Sequence, residues 1–78
     1  MELEVLKRIL VEVLSVDASE IYMETTFMGD LGADSLDGYQ IVLKLEDALG
    51  VKFEEQDIRK TETVGQAVEL IRKCQSIN

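Results

Sequence analysis

The chain predicts an all-α fold: a small four-helix up-and-down bundle, three helices long and one short, with a long first loop. Two observations lead there. Apolar residues recur at helical spacing in separate segments, with no alternating strand pattern between them. The chain has 78 residues, no Pro, and a mixed composition of 46% hydrophobic and 31% charged residues. That is the profile of one folded domain over 1–78, too small for a deep catalytic pocket.

The first helix is expected from Glu2 to Ser15. Leu3, Leu6, Ile9, Leu10, Val13 and Leu14 share one side of it, and Lys7, Arg8 and Glu12 lie opposite. Residues 16–34 form a connection rich in Asp, Ser, Thr and Gly, in which Ile21, Phe27, Met28 and Leu31 are expected to pin the loop to the core. A loop this long in a small domain is functional or internally packed. The second helix begins at Asp34 or Ser35 and ends at Leu49. Gly50 suits a left-handed cap, Asp34 an N-cap, and Asp37 the acid-favouring first turn. A helical turn is expected over Glu54 to Arg59. The last helix opens on Thr63-Val64-Gly65-Gln66, a capping-box pattern, with Val64, Ala67, Val68, Ile71 and Cys74 on its apolar face.

Charge narrows the function. The formal net charge is −8, which disfavours nucleic acid as a partner, since phosphate attraction needs a basic face. Asp30, Asp34, Asp37, Glu46, Asp47, Glu54, Glu55 and Asp57 stand against only Lys44 and Lys52, a net of −6 in that stretch. Such a run is either a solvated face or a patch that steers basic partners. Cys74 is the single cysteine, so no internal disulfide forms, and without any His it reads as a packing residue rather than a nucleophile. No segment has the length and hydropathy of a membrane span, and the expected location is the cytoplasm. A calcium loop starting at Asp30 fails on spacing, because Ser35 and Ile41 stand where Gly and Glu are required.

The segment Phe27-Met28-Gly29-Asp30-Leu31-Gly32-Ala33-Asp34-Ser35-Leu36-Asp37 puts a serine at a helix start behind a glycine-containing loop. Backbone N–H groups and the helix dipole favour an anion there. Taken alone, an Asp-Ser pair before a helix is far more often a simple cap than a modification site. Beyond them, Ile41, Val42, Leu45, Ala48 and Leu49 fall in one arc of the second helix, while Leu36, Tyr39 and Leu43 fall nearly opposite. That second stripe, flanked by Asp37, Gln40, Lys44 and Asp47, is either a widening of the core or a docking surface. Gly38, in the core arc, calls for a reason: close approach by a neighbour, or space kept open beside the helix.

The segment resembles the phosphopantetheine attachment site of acyl carrier proteins. The resemblance rests on Asp34-Ser35-Leu36, with Phe27 and Asp30-Leu31-Gly32-Ala33 before it, Leu45-Glu46 and Gly50 after it, and Thr63-Val64 at the final helix. It extends over essentially the whole chain in length, helix order and motif position. The resemblance implies a 4′-phosphopantetheine arm, moved from coenzyme A onto Ser35 by a phosphopantetheinyl transferase, with Asp34 and Leu36 framing it. Acyl chains then ride on the arm's thiol and can shelter between the helices, and the carrier catalyses nothing. It also implies acyl-transferring, condensing and modifying enzymes that bring basic surfaces to Asp34, Leu36, Asp37, Tyr39, Gln40, Leu43, Lys44 and Asp47, with the carrier itself a monomer. Gln40 replaces a usual acid, Lys44 adds a cation, Tyr39 is bulkier than the usual aliphatic residue, and Glu54 replaces a usual Pro. These departures point towards a specialised lipid or polyketide pathway beside fatty acid synthesis. Peptidyl or aminoacyl carriers, and an unmodified acidic interaction module, are the competing readings.

Overall fold

The computed structural model describes residues 2–75. Its order is α1 (Glu2–Leu14), a 3₁₀ turn (Ala18–Glu20), α2 (Ser35–Leu49), α3 (Glu55–Lys60) and α4 (Val64–Gln75). Among the described residues the only β pairing is an isolated antiparallel bridge between Thr26 and Thr63. The all-α bundle with a long first loop is therefore the architecture found.

Helix α1 is the hub, packing against both α2 and α4. Leu6, Ile9 and Leu10 on α1 meet Ile41 and Leu45 on α2, and Val64, Ala67, Val68 and Ile71 on α4, in one buried cluster that Ile21 joins from the loop. Helix α1 ends one residue earlier than expected. Ser15 takes a left-handed φ of 57°, and its N–H still bonds the Val11 carbonyl, so the chain turns out of the helix there. Helix α2 has the expected limits: Asp34 caps it, and Gly50 at φ 66° closes it with its N–H on the Glu46 carbonyl.

Helix α3 begins at Glu55 with Glu54 as an N-cap that makes no side-chain bond, and it runs one residue past the expected end. The α4 capping box forms as read. Gln66 N–H donates to Thr63 Oγ1 at 3.1 Å, and Gln66 Oε1 accepts from the Thr63 and Glu62 N–H groups.

The loop is the least regular part and the most bonded. Asp17 caps the 3₁₀ turn, accepting from Ser19 N–H at 3.3 Å. Thr25, buried, accepts from Tyr22 N–H and donates to the Glu20 carbonyl. Thr26 and Asp30 close a turn reciprocally, each backbone N–H on the other's side-chain oxygen at 2.9 Å. The loop then lies along the start of α4. Phe27 N–H donates to Glu62, Val64 N–H to Thr25, and Gly65 N–H to Met23, at 2.8–3.1 Å. Gly65 suits this approach, since a Cβ would come to 3.0 Å from the Met23 carbonyl oxygen, a tight contact that the loop would have to relieve.

Two expected core residues are not in the core. Met28 is 76% exposed, because it sits in the middle of the Thr26–Asp30 turn, where the chain bulges outward. Ala48 is exposed in the last turn of α2, where a single methyl group is too short to reach the cluster that its neighbour Leu49 touches.

Candidate functional site at the start of helix α2

Three local features place Ser35. Gly32 adopts φ 68°, a conformation glycine takes without steric cost, and turns the loop back towards the bundle. Ala33 is buried and its N–H bonds the Phe27 carbonyl at 2.8 Å, which fixes the chain two residues before the serine. Asp34 then leaves the helix in an extended conformation and caps it: its carboxylate accepts from Asp37 N–H at 2.9 Å, while Asp37 reaches back to Asp34 N–H at 3.4 Å. The reciprocal half of that box is more than the sequence suggested. Substituting a capping Asp costs about 0.5–2 kcal/mol, so the box is a substantial part of what holds this helix start.

Ser35 is the first helical residue and is exposed. The first-turn N–H groups, Ser35 and Leu36 among them, project from the helix end by α-helical geometry and carry the positive pole of the dipole. The positions on either side are open. A Cβ added at Gly32 or at Gly38 would meet nothing within 4 Å. An exposed hydroxyl, outward amide donors and clear flanks suit a phosphodiester-linked arm. The close-packing explanation for Gly38 is thereby removed, although a helical glycine costs about 0.5–1 kcal/mol relative to Ala.

The second stripe of α2 is a surface and no extension of the core. Leu36, Tyr39 and Leu43 are 68%, 62% and 46% exposed. Asp34, Gln40, Lys44 and Asp47 are exposed beside them, and Asp37 is half-buried in its box. Lys44 Nζ stands 3.6 Å from Glu12 of α1, an exposed pair worth roughly 0.5 kcal/mol or less. The pair draws the one cation of α2 towards α1. Some acids of the run serve the fold instead. Glu46 accepts from Phe53 N–H at 2.9 Å, Asp30 closes the loop turn, and Glu55 pairs with Arg59 at 3.2 Å.

Tyr22 and Met23, exposed at 63% and 45%, add apolar surface on the loop that sequence reasoning missed. Nothing in their spacing marked them. Cys74 is half-buried, its Sγ 3.7 Å from the Lys52 carbonyl oxygen. Burial, helped by the negative charge of Asp57, pushes its thiol above the usual cysteine range, which leaves it a poor nucleophile.

The site is thus an exposed serine at a helix start, framed by a capping box on a small acidic helical bundle. The family model for the phosphopantetheine attachment site matches residues 4–71. Acyl carrier proteins from three strains of Clostridium perfringens are each 46% identical over 66 residues, covering 85% of this chain and 87% of theirs. Among solved structures, a chain assigned as an acyl carrier protein from Mycobacterium tuberculosis superposes with a TM-score of 0.88 at 25% identity, covering 94% of this chain and 97% of that one. The acyl carrier protein of Enterococcus faecalis gives a TM-score of 0.75 at 31% identity, covering 95% and 98%. The chain belongs to the acyl carrier protein family. Its cofactor is 4′-phosphopantetheine, and membership brings a phosphopantetheinyl transferase and biosynthetic enzymes as partners. No helix among the described residues is long and apolar enough to cross a membrane.

Proposed function

We propose that Ser35 is the attachment residue, and that the chain is a single, monomeric, cytoplasmic carrier domain over 1–78 that catalyses no step itself. The observation that carries this reading is the exposed hydroxyl of Ser35 at the first position of α2, framed by the Asp34–Asp37 box. In the loading step Ser35 Oγ loses its proton and joins the phosphorus of coenzyme A that bears the pantetheine. The phosphoanhydride bond breaks, and the adenosine 3′,5′-bisphosphate half leaves. The N-terminal dipole of α2 lowers the energy of the phosphodiester charge left on Ser35. Once attached, the arm supplies a thiol that holds acyl groups as thioesters.

The stripe of Leu36, Tyr39 and Leu43 docks partner enzymes, and Asp34, Asp37 and Asp47 steer their basic surfaces towards it. Gln40 and Lys44 complete this surface and give it a less acidic end than Asp34 and Asp37 provide. That mixture supports service in fatty acid synthesis or in a specialised lipid or polyketide pathway with partners matched to it. The test is loading from coenzyme A by a broad-specificity transferase, read by intact mass. Wild type gains one arm and Ser35→Ala gains none; an arm on Ser35→Ala would overturn the assignment. The variant stays folded, since Asp34 still caps the helix.

A further inference from the structure

The exposed stripe of α2 has acids towards both ends and one residue of opposite sign between them. Asp34 and Asp37 stand at the Ser35 end and Asp47 lies beyond, with Lys44 in between, next to the exposed Leu43. Nothing in the fold asks for that lysine. The residues four positions away on α2 are Gln40 and Ala48, so its own helix offers it no acid at that spacing. Helices α1 and α2 are already joined through Leu6, Ile9, Leu10, Ile41 and Leu45. The ion pair with Glu12 is long, at 3.6 Å, and its side chains are 46% and 67% exposed. Such a pair adds little to stability. It does set where the charge points: the ammonium is drawn off the stripe towards α1, and Glu12 brings a carboxylate to the stripe's edge.

We propose that Lys44 and Glu12 form a selectivity element of the docking surface. Lys44 opposes partners whose docking face is basic throughout and favours those that set a carboxylate opposite it among basic residues. Glu12 tempers the opposition by drawing the ammonium aside. The proposal rests on the stripe of Leu36, Tyr39 and Leu43 being the docking face. Like charges brought together at an interface lower affinity for the wrong partner, which is how surfaces of similar shape and overall sign are told apart. One contact between unit charges about 4 Å apart at a wet rim changes affinity about five-fold.

The experiment measures loading from coenzyme A by a broad-specificity transferase with a basic docking face, at low and high salt, with kcat and KM separated. The carriers are wild type, Asp47→Asn, Lys44→Gln, Lys44→Glu, Glu12→Gln and the Lys44→Gln/Glu12→Gln double variant. Lys44→Gln should raise kcat/KM about two- to five-fold and Lys44→Glu further, both through KM and both fading at high salt. Glu12→Gln should lower kcat/KM by up to about two-fold in wild type and change it little in the Lys44→Gln background. Among transferase variants with one docking-face Lys or Arg replaced by Glu, at least one should load wild type faster than Lys44→Glu. Unmoved kcat/KM in both Lys44 variants, an equal effect of Glu12→Gln in the two backgrounds, or a preference that no transferase variant reverses overturns the proposal. Asp47→Asn separates the two readings. If it too leaves loading unmoved, the docking reading fails and this one with it. If it slows loading while the Lys44 variants do not move it, this proposal alone fails.

Discussion

Gly65→Ala should destabilise the apo protein even though it replaces a helical glycine by the best helix former. Alanine gains at most about 0.8–1.0 kcal/mol of propensity, and less so close to a helix start. Against that, the new methyl would sit 3.0 Å from the Met23 carbonyl oxygen, which has little freedom to retreat. That oxygen accepts the Gly65 N–H at 2.8 Å, and two residues on, the Thr25 carbonyl accepts the Val64 N–H at 2.9 Å. The buried Thr25 hydroxyl ties the same loop to Tyr22 and Glu20. Weakening one such bond costs about 0.5–1.5 kcal/mol, and crowding a packed contact about 1–3 kcal/mol. The balance is a net loss of about 1–2 kcal/mol, a fall of roughly 4–8 °C in midpoint for each kcal/mol in a domain this small. Urea unfolding of the apo protein, followed by helical circular dichroism, measures it. A Gly65→Ala protein as stable as wild type would mean that the loop yields freely at Met23, and the account of a rigid loop clamp would be wrong.

The remaining expectations concern the acids and the thiol. Exchanging Asp34, Asp37 and Asp47 together for asparagine should slow transferase association and flatten its salt dependence, while the asparagine that replaces Asp34 preserves most of the cap. Rates unmoved at low salt would reduce the patch to a solvated face. Cys74 has a thiol shifted upward by burial and by Asp57, so at mildly alkaline pH less of it is thiolate than in an unburied cysteine. Iodoacetamide should alkylate it more slowly than it alkylates glutathione, and urea should remove the difference. Equal rates in the folded protein would refute the shift. Because the folded thiol titrates above the unfolded one, its small stability contribution is complete below the unfolded thiol's range and is lost as pH rises through the folded one's.

What the sequence disclosed follows from how much each feature depends on side chains. The limits of α2 were legible because Asp34 and Gly50 are strong caps by their own chemistry. The two arcs of that helix were legible because Ile41 and Leu45 stand opposite Leu36, Tyr39 and Leu43; only the structure shows that the second arc faces water. The clamp between the loop and α4 was not legible, since its bonds run from backbone to backbone and leave no side-chain pattern. Met28 was misread for a related reason: an apolar residue in a loop is uninformative until the turn closed by Thr26 and Asp30 fixes its direction. Glu46 counted as one more acid in a run, yet its bond to Phe53 N–H gives it a structural task that charge bookkeeping cannot reveal.

The clamp has a consequence for the order in which the molecule is completed. The loop that leads into Ser35 is fastened through residues 23–27 to residues 62–65, nearly forty positions further along the chain. A growing polypeptide that has not yet delivered Glu62, Val64 and Gly65 has nothing to receive the Phe27 N–H and no donors for the Thr25 and Met23 carbonyls. Asp34 can cap its own helix early, because Asp37 lies close by. The stretch before it must wait for distant partners. The clamp on the loop is therefore complete only when the start of the last helix is in place.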